Sequence, residues 1–217
     1  MKKISDDMLS VNKDKPLYLY ATSHGFLPLS VLLKSTKNSK RKEIIQENLD
    51  LFPEFDQFTM TLNATPDPKL DTASLLKILN ALDTYKYSQQ ELLFTPQNLK
   101  NIIKEWPEDI QKFIVIQGCF SGGFVDSDIP KFREQSLRDT PNTTILTASR
   151  YDRSSFGCDF KSEKTYYGGA YIESLKKKQT PIEKIDWKIL HEEVNAKITQ
   201  MEKKRNFKPS LPQFVKN

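Results

Sequence analysis

Two short segments hold residue types that attack amides. Ser23-His24-Gly25 follows the apolar run Pro16 to Thr22, and Gly118-Cys119 follows another, Lys112 to Gln117. A cysteine nucleophile needs a base within hydrogen-bond reach and donors aimed at the oxyanion that its attack creates. His24 suits the base, and afterwards the acid that protonates a leaving amine. The backbone N–H groups of Gly25 and Cys119 suit the oxyanion donors, because a glycine turn exposes them. Taken singly, His24 reads as a satisfied histidine at a strand end and Cys119 as a small buried apolar residue. As a pair, each after an apolar strand and each flanked by glycine, they point to a Cys–His dyad.

Glycine placement sharpens the pairing. The chain has seven glycines, Gly25, Gly118, Gly122, Gly123, Gly157, Gly168 and Gly169. Each falls at or just beyond the end of a predicted strand, beside a candidate functional residue. A chain this sparing of glycine uses it where the backbone takes a special angle or closely approaches a ligand.

The elements that must position these residues read as strands alternating with helices. Pro16 to Thr22 predicts a buried strand ending in a glycine turn. Lys40 to Phe52 predicts a helix, Gln57 to Leu62 a strand, and Asn63 to Pro68 a turn. Asp71 to Leu82 has helical spacing behind an Asp71/Thr72 start signal. Thr95-Pro96 opens a helix reaching Trp106, with cap and first-turn proline in their preferred places. Lys112 to Gln117 is the nearly continuous apolar run of a strand buried on both faces, and Thr143 to Ala148 is the next. Helices are expected at Tyr167 to Lys178 and Asp186 to Arg205. This alternation predicts an α/β fold with a mostly parallel sheet and helices on both faces. Ligands of such sheets bind outside the carboxyl ends of the strands, where His24, Cys119, Ser149 and Arg150 fall.

Length and composition bound the alternatives. With 217 residues the chain suits one domain, 1–217, with a polar stretch at about 27–91 as an atypical insertion. It is 37% apolar and 28% charged, as a soluble globular protein is. No run of about 18 apolar residues is present to span a membrane. No apolar segment follows Met1-Lys2-Lys3, so a secretory signal is not expected and a cytoplasmic location is the default. Cys119, Cys158, His24 and His191 lack the close pairing of zinc ligands, so no metal is expected. The net charge of +5 rests on runs such as Lys176-Lys177-Lys178 and Lys203-Lys204-Arg205. These read as solvated helix faces, so nucleic acid is not an expected partner.

Longer strings carry a family resemblance. Val115-Ile116-Gln117-Gly118-Cys119-Phe120-Ser121-Gly122-Gly123-Phe124 resembles the nucleophile segment of bacterial members of the legumain (asparaginyl endopeptidase) family. Leu19-Tyr20-Ala21-Thr22-Ser23-His24-Gly25 resembles that family's histidine strand. Thr147 to Cys158, with Thr165-Tyr166-Tyr167-Gly168 after it, resembles the strand and loop that shape its substrate pocket. Pro209-Ser210-Leu211-Pro212-Gln213 has a family look as well. The resemblance covers Leu17 to Gly25 and roughly Thr95 to Leu175. It implies a caspase-like three-layer sandwich and peptide-bond hydrolysis by a Cys–His dyad through a thioester, without cofactor. Transamidation follows the same route when an amine resolves the thioester. Gln117 stands where legumain has glutamate and Gly169 where it has aspartate, so asparagine specificity is not implied.

The family also places two strands before the histidine strand, whereas about fifteen residues precede it here. Gln57 to Leu82 is a candidate substitute edge, and an open edge would permit a homodimer. Loss of those strands leaves a second reading, a catalytically inactive module that binds peptide or protein. The candidate substrate-binding residues are Gln117, Ser149, Arg150, Ser154 and Ser155. Ser154 and Ser155 either line the pocket or cap the turn. Arg150 and Arg153 either bind an acidic substrate group or pair with Asp152 or Asp159. Cys158 reads as packing under the pocket loop, and His191, beside Glu192 and Glu193, as a surface residue.

Overall fold

The computed structural model describes residues 15–51, 53, 56–61, 93–157 and 164–217. In chain order, β1 (Leu17–Thr22) runs through Ser23-His24 into β2 (Gly25–Phe26), followed by helices α1 (Leu29–Ser35) and α2 (Ser39–Leu51). Strands β3 (Thr59–Thr61) and β4 (Leu93–Phe94) lead to α3 (Pro96–Ile103). The Thr95 hydroxyl accepts the Asn98 N–H at 3.1 Å, which caps α3. Next come β5 (Lys112–Gln117), a 3₁₀ turn at Ser121–Phe124, α4 (Pro130–Gln135) and β6 (Thr143–Thr147). Helix α5 (Tyr166–Lys176) is capped by Thr165, which accepts the Gly168 N–H at 2.9 Å. Helix α6 (Trp187–Lys204) is capped by Asp186, which accepts from Lys188 and Ile189, and β7 (Gln213–Lys216) closes the chain.

The main sheet has the order β1-β5-β6-β7. β1 and β6 flank β5 in parallel, and β7 lies antiparallel to β6. Strand side chains alternate between faces, and each face has its own core. Ile114, Ile116 and Ile145 pack with Leu99 and Ile103 of α3, Phe132 of α4 and Phe124. Phe113, Val115 and Leu146 pack with Tyr167, Ala170 and Tyr171 of α5 and with Trp187, Leu190 and Val194 of α6. Each of the Ile, Leu, Val and Phe side chains among them contributes about 1.5–3 kcal/mol when fully buried. The result is the expected three-layer α/β sandwich, its parallel strands all pointing one way. No helix among the described residues is long and apolar enough to cross a membrane.

Several expectations are corrected. Among the described residues β1 is a half-buried edge strand rather than a buried one, with Tyr18 38% exposed and β5 pairing with one of its sides. Gly25 does not simply turn the chain but opens β2. β3 does not extend the β1 edge: it pairs antiparallel with β2 and β4 in a separate three-stranded sheet. α3 stops at Ile103, because Glu105 and Trp106 turn back onto the Ile102 and Ile103 carbonyls ahead of Pro107. His191 is half-buried, its ring 5.6 Å from that of Phe214 on β7. Helices α1 and α4 and strands β2, β4 and β7 were not anticipated from composition. The expected turn at Asn63 to Pro68, the helix at Asp71 to Leu82, and Cys158 lie outside the described residues.

Candidate active site

The pairing of β1 with β5 sets the site. Thr22 is in register with Gln117, and the Ser23 N–H continues the ladder by donating to the Gln117 carbonyl at 3.1 Å. His24 and Cys119 each follow two residues beyond that matched pair, at the carboxyl ends of adjacent strands about 4.8 Å apart. Glycine permits the approach. A Cβ on Gly25 would lie 1.8 Å from the Cys119 carbonyl oxygen and 3.2 Å from its nitrogen. A Cβ on Gly118 would lie 2.7 Å from the Ser23 carbonyl oxygen. The two backbones that carry the candidate oxyanion donors are therefore in direct contact, and His24 and Cys119 are both half-buried there.

Beyond Cys119 the chain reverses through Phe120, which takes a left-handed conformation at φ 59°. The Phe120 N–H donates to the Arg153 carbonyl at 2.8 Å, which draws the Arg150–Gly157 loop over the nucleophile turn. The Cys119 thiol meets that loop. Its Sγ lies 3.5 Å from the Ser155 carbonyl oxygen and 3.9 Å from Ser155 Oγ. Ser155 is buried, whereas Ser154 is exposed beside it.

The remaining candidate residues occupy distinct places. Ser149 is fully buried beneath the turn: its hydroxyl donates to the Gly118 carbonyl at 3.0 Å and accepts the Ser121 N–H at 3.2 Å. Its position suits it to hold the Cys119 turn rather than to meet a ligand. Gln117 is also buried, and its amide is engaged on both sides. It accepts from the Tyr20 hydroxyl and donates to Thr165 Oγ1. Arg150 grips Asp152 with two bonds of 2.5 and 2.8 Å, and Arg153 Nε lies 3.9 Å from the same carboxylate. Those contacts match the ion-pair reading of both arginines. Hydrogen bonding to Arg150 holds the Asp152 carboxyl below its usual range.

Tyr20, Thr165, Ser121 and Asp128 were not singled out from the sequence. The Tyr151 hydroxyl donates to Asp128, which ties the loop after β6 to the segment after the nucleophile turn and pushes the phenol up to about 12. Only Thr165 had a local signal, the Thr-Tyr-Tyr-Gly cap of α5.

A model of the peptidase C13 family matches residues 84–216, more than half of the chain. The chain belongs to the peptidase C13 family. This is a family of cysteine peptidases, and the match takes in Cys119, Ser149 and the Arg150–Gly157 loop. It runs through β7, well past Leu175. It does not include His24, whose place follows from the β1–β5 register alone. Most of the stretch expected as an insertion also precedes it. Among solved structures, the C13 chain is similar to caspase-1 from Spodoptera frugiperda at 14% identity, over 93% of this chain and 86% of that one, with a TM-score of 0.39. No curated protein sequence matches it.

Proposed function

We propose that this C13 chain is a cysteine endopeptidase working through Cys119 and His24. The observation that carries the reading is the contact of Gly25 with the Cys119 peptide at the ends of two paired parallel strands. In the proposed cycle His24 takes the thiol proton, and the Cys119 sulfur attacks the scissile carbonyl carbon. The carbonyl oxygen becomes an oxyanion facing the N–H groups of Gly25 and Cys119. The C–N bond then breaks, His24 gives its proton to the leaving amine, and a thioester remains on Cys119. Water attacks the thioester with His24 again taking a proton, which releases a carboxylic acid and the free thiol. An amine in place of water would give transamidation.

Ser155 and Ser154 are proposed to flank the substrate backbone, with Gln117, Ser149 and Arg150 holding the walls behind them. A second reading, a module that binds peptide without cleaving it, draws on the Cys119 Sγ contact with the Ser155 carbonyl, which suits a resting thiol. Digestion of a mixed peptide library followed by mass spectrometry separates the two. The peptidase reading expects cleavage lost in Cys119→Ala and His24→Ala, and an acyl-protein mass on Cys119 in rapid-quench samples. Peptide binding without any cleavage supports the module instead. Adding an amine nucleophile tests transamidation, which predicts a ligated product.

A further inference from the structure

Where the start of α5 meets the end of α6, the surface forms an open hollow of about 420 Å³. Tyr166 and Met201 give it an apolar lining, and Lys164, Lys204 and Arg205 surround it with positive charge. All three cations are exposed. Among the described residues none of them is ion-paired, although other surface lysines such as Lys131, Lys177 and Lys178 are. Among the described residues, the nearby acids Glu202 and Glu173 have other partners. Glu202 is buried and accepts the Ser210 N–H at 3.0 Å, and Glu173 pairs with Lys177 and Lys197. The Arg205 guanidinium lies 5.6 Å over the Tyr166 ring, which favours that position. Gly169 leaves one wall bare, since a Cβ there would find only Lys164 Cβ, at 3.9 Å. Three cations around one concavity, none ion-paired among the described residues, raise the local concentration of anions.

The cavity is tied to the nucleophile by a short path. The Tyr166 N–H donates to the Phe156 carbonyl at 3.1 Å, and Phe207 stacks on Phe156 at 4.5 Å and on Tyr166 at 6.4 Å. Phe156 directly follows Ser155, whose carbonyl meets Cys119 Sγ. The 150–157 loop thus carries both the Ser155 carbonyl that meets the thiol and the Phe156 carbonyl that holds Tyr166 of the cavity wall.

We propose that the cavity binds an aspartate or glutamate side chain of the peptide substrate, so that the chain selects acidic peptides. A guanidinium and two ammonium groups suit a carboxylate, with Arg205 able to hold both oxygens. The aliphatic part of that side chain would cover Met201 and Tyr166. The inference rests on the peptidase reading and adds the charge of the substrate to it.

Fluorescence anisotropy on the Cys119→Ala protein tests it without cleavage. The probes are a labelled pool of Asp/Glu-containing peptides and the matching Asn/Gln pool. Expected is at least about tenfold tighter binding of the acidic pool, lost in Lys204→Glu/Arg205→Glu and weakened between about 50 and 300 mM salt. Gly169→Asp, which places a carboxylate in the cavity while keeping all three cations, should abolish the preference as well. Equal affinity for the two pools, no binding of either, or a preference unchanged in both variants would overturn the proposal. The protein with Cys119 intact separates this failure from failure of the peptidase reading. Cleavage without preference for acidic peptides removes the cavity proposal and keeps the peptidase. Tight acidic binding with no cleavage of any peptide does the reverse.

Discussion

Gly25 lies against the Cys119 peptide so closely that a single methyl group on it would stand 1.8 Å from the Cys119 carbonyl oxygen. Backbone on both sides leaves nothing flexible to give way. Gly25→Ala should therefore push β2 away from the nucleophile turn, costing about 1–3 kcal/mol of stability and separating the proposed oxyanion donors. Urea unfolding and peptide cleavage check this together. A variant as stable and as active as the parent would mean that the two backbones are not in contact in solution.

Ser149 makes a parallel case from beneath the turn. Ser149→Ala deprives the Gly118 carbonyl and the Ser121 N–H of a buried partner, at a cost of about 1–3 kcal/mol. The loss should appear in the urea midpoint, and cleavage should slow through misplacement of Cys119. Unchanged stability would show that water or a neighbour replaces the hydroxyl.

His191 predicts a pH effect away from the site. Burial holds its pKa below the ordinary 6.5, with Glu192 opposing. As pH falls, the unfolded chain takes up a proton at His191 before the folded chain does. The stability contributed by the neutral ring is complete above about pH 6.5 and is lost as pH drops from there through the lower folded value. Wild type should unfold at lower urea at pH 5.5 than at pH 7.5. His191→Gln should flatten that fall by at most about 1.4 kcal/mol per pH unit between the two pKa values. Identical pH profiles would contradict the burial.

Legibility in the sequence depends on how local each cause is. β5 announces itself, because a central parallel strand must be apolar on both faces, and Lys112–Gln117 is buried throughout. The ends of β1 and β5 are equally legible, since both apolar runs lead to a glycine beside a reactive side chain, His24-Gly25 and Gly118-Cys119. Gln117 is different. The family resemblance suggests a substrate contact for it, but its partners come from β1 and from Thr165, 48 residues on, and only the fold brings them together. The two-residue strands β2 and β4 exist because β3 lies between them, not through propensity of their own. His191 misleads because a helical residue next to two glutamates looks exposed until the antiparallel β7 brings Phe214 against it.

Cys119 and His24 must act together for the proposed chemistry, and thiol reactivity reads that directly. Wild type, Cys119→Ala and His24→Ala would be labelled with a small thiol-reactive electrophile across pH 5 to 8. An unassisted cysteine, with a pKa of about 8.5, reacts slowly at pH 6. A working dyad predicts fast labelling at pH 6 that disappears in Cys119→Ala and drops at least about tenfold in His24→Ala. Slow labelling that rises only toward pH 8 and ignores the His24 substitution would contradict it.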